Sequence, residues 1–493
     1  MDDVTTLALA EMPGDAPARC RPLVVDLDHS LVCTDTLHEC LVTLAFRHPR
    51  RVPAVAGALA RGRAAFKRAA MLHAGLDCEA LPLDPGVLAA ISRRRSAGGT
   101  VHLVTAADQF IADGVASATG LFDSATGSDG ATNLKAAAKA EALARRFPEG
   151  FDYVGDSVAD VPVWRRATGA LLAGERPRVA RLLAREGIAP EVLPRRAVRA
   201  RDWVKALRLH QWSKNLLVLA PIVLSHEFLA PALLLQALAA FALFGVVASA
   251  TYLINDLADL SADRRHPSKR YRALAAGLIP LATAAPLAAM LLTIGLVGGW
   301  LLAPAFGATL SCYAALTLLY SFRLKREPLI DVAAIAALFT LRVVAGMVVI
   351  GHPISLWLAT FTATLFLSLA LAKRSAELVQ AARSGRPVHG RGYLPGDEPL
   401  TLALGVAAGI VSVLVMVMYM SVDAMPSGLY ALDGALYVIP AVLCLWVMRV
   451  WLLAHRGALD DDPVIFALRD RVSWWHAGAV AGLWLIAVGG RVA

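Results

Sequence analysis

Two hydrophobic patterns divide the chain. Up to about residue 195, short apolar runs such as Pro22-Leu23-Val24-Val25, Val101-His102-Leu103-Val104 and Phe151-Asp152-Tyr153-Val154 alternate with Ala-rich stretches at helical spacing, and charges occur throughout. Strands alternating with helices predict an α/β, Rossmann-like domain with a parallel sheet. From Leu216 onward the apolar runs lengthen. A hydrocarbon core needs roughly 20 apolar residues per helix, and about nine stretches qualify, near 216–232, 235–254, 281–301, 303–320, 329–350, 354–372, 401–420, 434–454 and 474–490. The second half is therefore expected to be an all-α polytopic membrane domain.

The loops between these stretches alternate in charge. One set holds Arg264, Arg265, Lys269, Arg270 and Arg272, then Arg323, Lys325 and Arg326, then Lys373, Arg374, Arg383, Arg386 and Arg391, then Arg449, Arg456, Arg469 and Arg471. The other set, around His226, Pro304, His352 and 421–434, has no Lys or Arg. Because cytoplasmic loops of membrane proteins are the basic ones, the first set and the N-terminal domain are assigned to the cytoplasm and the C-terminus to the outside of a bacterial-type inner membrane. Arg383, Arg386 and Arg391 are read simply as anchors of that face. A basic connector with Trp203 suits the interface with anionic lipid, so the division predicted is 1–195, a linker 196–205, and 206–493.

Composition narrows the partners. A net charge of +9 with 57% hydrophobic residues could suggest nucleic acid, but the cations cluster beside apolar spans and no basic, aromatic-interleaved groove appears. Anionic headgroups and phosphorylated substrates fit better. The six cysteines show no metal-ligand spacing, and the acidic opening segment does not have the pattern of a secretory signal.

The run Asn255-Asp256-Leu257-Ala258-Asp259-Leu260-Ser261-Ala262-Asp263 closes the second span. On a continuous helix Asn255, Asp259 and Asp263 share one face. Like charges converging there call for a cation, and Mg²⁺ bridging carboxylates to substrate phosphates is the simplest one. The competing reading is an acidic helix end paired with Arg264 and Arg265. This NDxxDxxxD run resembles the UbiA superfamily of intramembrane prenyltransferases, over about 206–493. That resemblance implies Mg²⁺-assisted displacement of a substrate diphosphate, with Asp256, Asp259 and Asp263 as metal ligands helped by Asn255.

One departure points to a branch. Where that family usually carries a second acidic motif, this chain has Lys373-Arg374-Ser375-Ala376-Glu377. Together with Leu207 to Asn215, Asn255 to Gly277, Tyr320 to Lys325, Leu341 to Gly346 and Ala467 to Arg471, this resembles the decaprenyl-phosphate phosphoribosyltransferases. The implied substrates are 5-phosphoribosyl-1-diphosphate and a polyprenyl phosphate, whose three phosphate-bearing groups need more cations and fewer acids. Lys214, Lys269, Arg270, Arg272, Lys325, Lys373 and Arg374 are the candidates for them, with Asn215, Tyr320 and Glu377 in the matching stretches. Arg342 lies within an apolar span and must find a buried partner or a water-filled cavity.

In the first domain, Val24-Val25-Asp26-Leu27-Asp28-His29-Ser30 puts two acids directly after a short strand, where open α/β sheets bind ligands. Thr105, Lys135 and the Gly155-Asp156-Ser157-Val158-Ala159-Asp160 run follow in order. The set resembles the haloacid dehalogenase-like (HAD) phosphatases over about 20–190. By that resemblance Asp26 is the nucleophile, Asp28 the acid and base, Thr105 and Lys135 the phosphoryl-binding groups, and Asp156 completes a Mg²⁺ site with Asp26 and the Asp28 carbonyl. Asp160 is a supporting acid and Lys139 a substitute for Lys135. The stretch 35–83 forms a helical cap, and His29-Ser30 stands where many relatives have Gly-Thr.

The expected chemistry is Mg²⁺-dependent in both domains: phosphoribosyl transfer to the lipid phosphate, with the phosphatase removing the 5-phosphate of the product. An aromatic prenyltransferase and a transporter or lipid-binding scaffold are the alternatives. The oligomeric state stays open.

Overall fold

The computed structural model describes residues 20–129, 134–384, 392–459 and 463–489. Arg386, Arg391 and the opening segment lie outside them. The chain packs as two compact units, Met1–Ala206 with Asp256–Pro286, and Leu207–Asn255 with Leu287–Ala493. The division at 206 read from the sequence keeps the segment after the acidic run with the membrane helices. By packing, Asp256–Pro286 goes with the first unit.

The first unit is built on six parallel strands, β1 (Leu23–Val25), β2 (Val101–Asp108), β3 (Ser124–Ser128), β4 (Asp152–Gly155), β5 (Gly169–Ala173) and β6 (Glu191–Leu193), in the order β3-β2-β1-β4-β5-β6. In β1 all three residues are buried, because a parallel sheet is covered on both faces. Leu23 and Val25 enter one core with Cys40, Leu44 and Ile91, whereas Val24 enters the other with Leu143, Tyr153 and Trp164. Successive connections run to opposite sides of β1, so the crevice between β1 and β4 opens at their C-terminal ends, where Asp26 and Asp156 follow. Between β1 and β2 the expected helical insertion is present as Thr36–Arg47, Val52–Gly57 and Arg63–Ala74.

Among the described residues seven helices are long and apolar enough to cross a membrane: Pro231–Ala258, Leu281–Leu302, Pro304–Phe322, Ile330–Val349, Leu356–Arg383, Pro395–Ser427 and Asp433–His455. Two of the nine expected spans are not among them. The stretch 216–232 is broken into a 3₁₀ segment Leu209–Leu219, a short helix Ala220–Leu224 and a turn Glu227–Leu229. Pro221 cannot continue the preceding turn, and His226 takes a left-handed conformation that ends the next. The last stretch is a helix of 18 residues, Arg471–Val488, whose Arg471, His476 and tryptophans dilute its apolar character.

Close helix contacts in the second unit depend on small residues. A Cβ on Gly405 would lie 2.1 Å from the Trp451 ring. The Trp451 indole N–H instead donates to Ser368 Oγ at 2.9 Å, and Ser368 Oγ donates to the Gly405 carbonyl at 2.7 Å.

Candidate active sites

In the first unit the strand ends deliver a carboxylate cluster. Asp26, Asp156 and Asp160 are buried and each offers an oxygen within 4.8 Å of the others, which makes them the one group of three such ligands among the described residues. All three donors are hard oxygens, the set Mg²⁺ takes. Asp160 is held by Ser157, whose N–H (3.1 Å) and Oγ (2.9 Å) both donate to Oδ2, while Tyr153 OH donates to Oδ1 at 2.8 Å. Burial first, and then Asp160, push the Asp156 carboxyl up to about 7. Arg176 faces it at 3.3 Å.

The cation beside Asp26 is not Lys135. Lys135 is exposed, whereas Lys139 is buried and its Nζ donates to Asp26 Oδ1 at 2.6 Å and to Tyr153 OH at 3.0 Å. The helix Ala137–Arg146 has Lys139, Ala140 and Leu143 on its buried side, and Lys135 precedes that helix. Burial raises the Asp26 pKa, although Lys139 opposes that shift. Thr105 is buried, with its Oγ1 accepting from Ala107 N–H at 3.0 Å.

Asp28 sits under the start of helix Thr36–Arg47. Its Oδ1 accepts the Thr36 N–H at 2.8 Å, one of the donors a helix start leaves without an internal partner. Burial and then the Asp35 carboxylate push the Asp28 carboxyl up to about 7, so it exchanges its proton near neutrality. The next residue, His29, has φ 55°, a left-handed conformation that glycine adopts without cost. That is a physical reason why a glycine would suit this position.

The acidic run departs from a single helix face. The long helix ends at Ala258, Asp259 has non-helical dihedrals, and a second helix runs Leu260–Arg265. Asn255, Asp259 and Asp263 therefore do not form one continuous stripe. Asp256 and Asp263, both buried and seven residues apart, share Arg272 instead: its Nη1 lies 3.2 Å from Asp256 Oδ1 and 2.6 Å from Asp263 Oδ2. Lys269 Nζ is 3.9 Å from Asp263 Oδ1. Asp256 and Asp263 offer hard oxygen donors of the kind Mg²⁺ takes, and in this structure Arg272 lies between them. Asp256, Asp259 and Asp263 do not form a compact three-carboxylate group among the described residues. The competing reading pairs Arg264 and Arg265 with the acidic run, but they pair with Glu39 and Asp77 instead.

In the second unit a cavity of about 300 Å³ gathers six expected residues, Lys214, Asn255, Tyr320, Arg342, Lys373 and Arg374. Arg342 is the buried cation anticipated from its apolar span. Its Nε donates to Asn215 Oδ1 and its Nη2 to Tyr313 OH, each at 3.1 Å, and its guanidinium lies over the rings of Phe244, Tyr313 and Phe339. Asn215 thus stands behind Arg342 instead of lining the cavity. Glu377 pairs with Arg374. Lys325 sits on the turn Leu324–Arg326 and Arg270 in the first unit, and neither lines this cavity.

Sequence reasoning missed Arg208, which lies 4.6 Å above the Tyr252 ring on the cavity wall, and Asp331. Asp331 is fully buried; Tyr393 OH donates to its Oδ1 at 2.7 Å, and Arg374 Nε is 3.6 Å from its Oδ2. An acid at the very start of an apolar span is the signal that could have found it.

Comparison with known proteins gives a family for each half of the chain. The UbiA prenyltransferase family model matches residues 217–488, and the haloacid dehalogenase-like hydrolase model matches residues 23–165. The chain belongs to the UbiA prenyltransferase family, is a multi-pass membrane protein, and carries an N-terminal HAD domain. Among its relatives, the uncharacterized protein y4nM of Sinorhizobium fredii is 43% identical over 472 residues, 95% of this chain and 91% of that one. The decaprenyl-phosphate phosphoribosyltransferase of Mycobacterium tuberculosis is 31% identical over 296 residues, covering 59% of this chain and 94% of the relative. Of solved structures, a digeranylgeranylglyceryl phosphate synthase aligns over 58% of this chain and 98% of its own, at 16% identity and a TM-score of 0.46.

Proposed function

We propose that the membrane half transfers the 5-phosphoribosyl group of phosphoribosyl diphosphate to a polyprenyl phosphate, and that the HAD domain removes the 5-phosphate of the product. The observation that carries the first step is the cavity wall that gathers Arg208, Lys214, Arg342, Lys373 and Arg374, a set suited to more than one phosphate-bearing group. An oxygen of the lipid phosphate attacks C1 of the ribosyl group, the C1–O bond to the diphosphate breaks, and pyrophosphate leaves. Asp256 and Asp263 would hold a magnesium ion, which would offset charge developing on a diphosphate leaving group. Lys373 and Arg374 orient phosphate oxygens, and Asn215 and Tyr313 hold the Arg342 guanidinium in one plane.

In the HAD domain Asp26 attacks the phosphorus, and the ester oxygen departs with the proton of Asp28. Water then attacks the aspartyl-phosphate, giving its proton to Asp28 and releasing phosphate. Lys139 neutralises charge at Asp26, Thr105 is placed to donate to the phosphoryl oxygens, and Asp26, Asp156 and Asp160 would hold the metal.

Purified protein given phosphoribosyl diphosphate and polyprenyl phosphate with Mg²⁺ should release pyrophosphate and yield a ribosyl lipid. Asp26→Asn should stop at the 5-phosphorylated lipid. Pyrophosphate release only with a prenyl diphosphate and an aromatic acceptor would replace this reading with the aromatic prenyltransferase one.

A further inference from the structure

The first unit contains a second cavity, of about 1070 Å³, that the chemistry above does not use. One wall comes from the loop after the nucleophile strand, at His29 and Cys33, and from Arg176, whose guanidinium reaches Asp156 at 3.3 Å. The other wall comes from the segment that follows the acidic run, at Arg264, Arg270 and Tyr271. These walls are tightly joined. Gly277 has φ 66°, and a Cβ there would lie 2.7 Å from Cys33 Cβ and 3.0 Å from the Cys33 carbonyl oxygen. Two of its lining residues, His29 and Arg176, adjoin Asp28 and Asp156 of the phosphatase site, and its other wall is a segment outside the HAD match.

The wall is basic, with six arginines against three acids. Most of these arginines are already engaged. Arg264 forms a buried pair with Glu39, Arg265 pairs with Asp77, and Arg195 pairs with Asp84 while donating to the His29 and Ser30 carbonyls. Arg270 differs. Among the described residues it makes no ion pair, and its guanidinium lies on its neighbour Tyr271, 4.8 Å from the ring centroid and 2.7 Å from the hydroxyl. A guanidinium resting on an aromatic face keeps most of its donors for a ligand.

A phosphatase substrate must place its monoester phosphorus at Asp26 and its leaving group outside. Next to that site, past His29 and Arg176, lies the basic chamber that Arg270 also lines. We propose that this chamber binds the second phosphate of a doubly phosphorylated sugar, with the monoester at Asp26 and an ester-linked phosphate on Arg270. The lipid-linked phosphoribose of the proposed function is one such compound and a free sugar bisphosphate is another. The proposal rests on the phosphatase reading for its orientation, but its binding can be tested without turnover.

Cys33 lines the chamber, so its alkylation, followed by mass spectrometry in the full-length Asp26→Asn protein in detergent, reports occupancy there. Ribose 1,5-bisphosphate should protect Cys33 at a concentration about tenfold or more below that needed by ribose 5-phosphate, a factor expected of one charged contact. Arg270→Ala should erase that difference, and phosphate release by protein with Asp26 intact should show the same loss of preference. Stronger protection by the lipid-linked phosphoribose than by the soluble bisphosphate assigns the site to the lipid, and the reverse assigns it to a free sugar bisphosphate. Equal protection by the mono- and bisphosphate, or a preference that survives Arg270→Ala, overturns the proposal. Protection with no phosphate release from the Asp26 protein would leave the chamber standing and remove the phosphatase reading.

Discussion

Lys139 Nζ lies 2.6 Å from Asp26 Oδ1 and 3.0 Å from the Tyr153 hydroxyl, so the nucleophile and its cation are locked together in a buried pocket. Lys139→Met should lower phosphate release by about 10²–10³-fold, the usual cost of removing a preorganised charge from a reacting group. Lys135→Ala should leave the rate essentially unchanged. The comparison of the two variants in a phosphate-release assay decides between the lysines, and equal losses would reject the assignment.

Asp28 is expected to donate a proton to the leaving alcohol. With its pKa raised to about 7, it is protonated below that pH and loses the proton above it. Single-turnover phosphorylation of Asp26 by a sugar phosphate should therefore decline as pH rises past about 7. With p-nitrophenyl phosphate, whose leaving group needs no proton, the decline should disappear. A decline of the same shape for both substrates would assign that titration to another group.

The two metal sites can be separated by substitution. Chelation of divalent metal should stop pyrophosphate and phosphate release together, and Mg²⁺ should restore both. With a soluble phosphate ester supplied to the HAD domain, Asp156→Asn should abolish only phosphate release, and Asp256→Asn only pyrophosphate release. Loss of both activities in either variant would contradict two independent centres.

Arg342→Lys keeps a positive charge but loses the planar fork that meets Asn215 and Tyr313. Leaving such buried partners without a donor costs about 1–3 kcal/mol each, so the transferase kcat/KM should fall by at least about tenfold. Phosphate release from a soluble ester should not change. A fully active Arg342→Lys protein would mean that only the charge matters there.

The first domain was readable in order because its reacting groups follow short strands, and strand ends are marked by apolar runs in the sequence. Asp26 and Asp28 follow β1 and Asp156 and Asp160 follow β4, whereas Thr105 lies within β2 and was reached through the family resemblance. Lys139 did not follow from it: the choice between Lys135 and Lys139 depends on which side of the helix Ala137–Arg146 packs inward, set by Ala140 and Leu143. In the membrane half, composition located the long helices but not the break at Asp259, which depends on tertiary partners of Asp256 and Asp263. Arg272 gathers those two acids from nine and sixteen residues away across an irregular loop, a distance periodicity does not reach. Asp331 was hidden for a different reason. A lone acid at the edge of an apolar run carries no spacing, and its role appears only when Tyr393 and Arg374 meet it.

Glu39 and Arg264, both almost fully enclosed, are separated by 225 residues of chain. Breaking such a pair by removing one partner costs about 3–5 kcal/mol, because the remaining charge is left uncompensated. During synthesis the sheet of the first unit is complete long before Arg264 emerges, and the helix Pro231–Ala258 is made in between. Until that first long apolar helix has been made, Glu39 has the Thr34 hydroxyl at 2.8 Å but not its arginine. A fragment cut at Ala206 would keep every phosphatase residue and still be an unfinished protein.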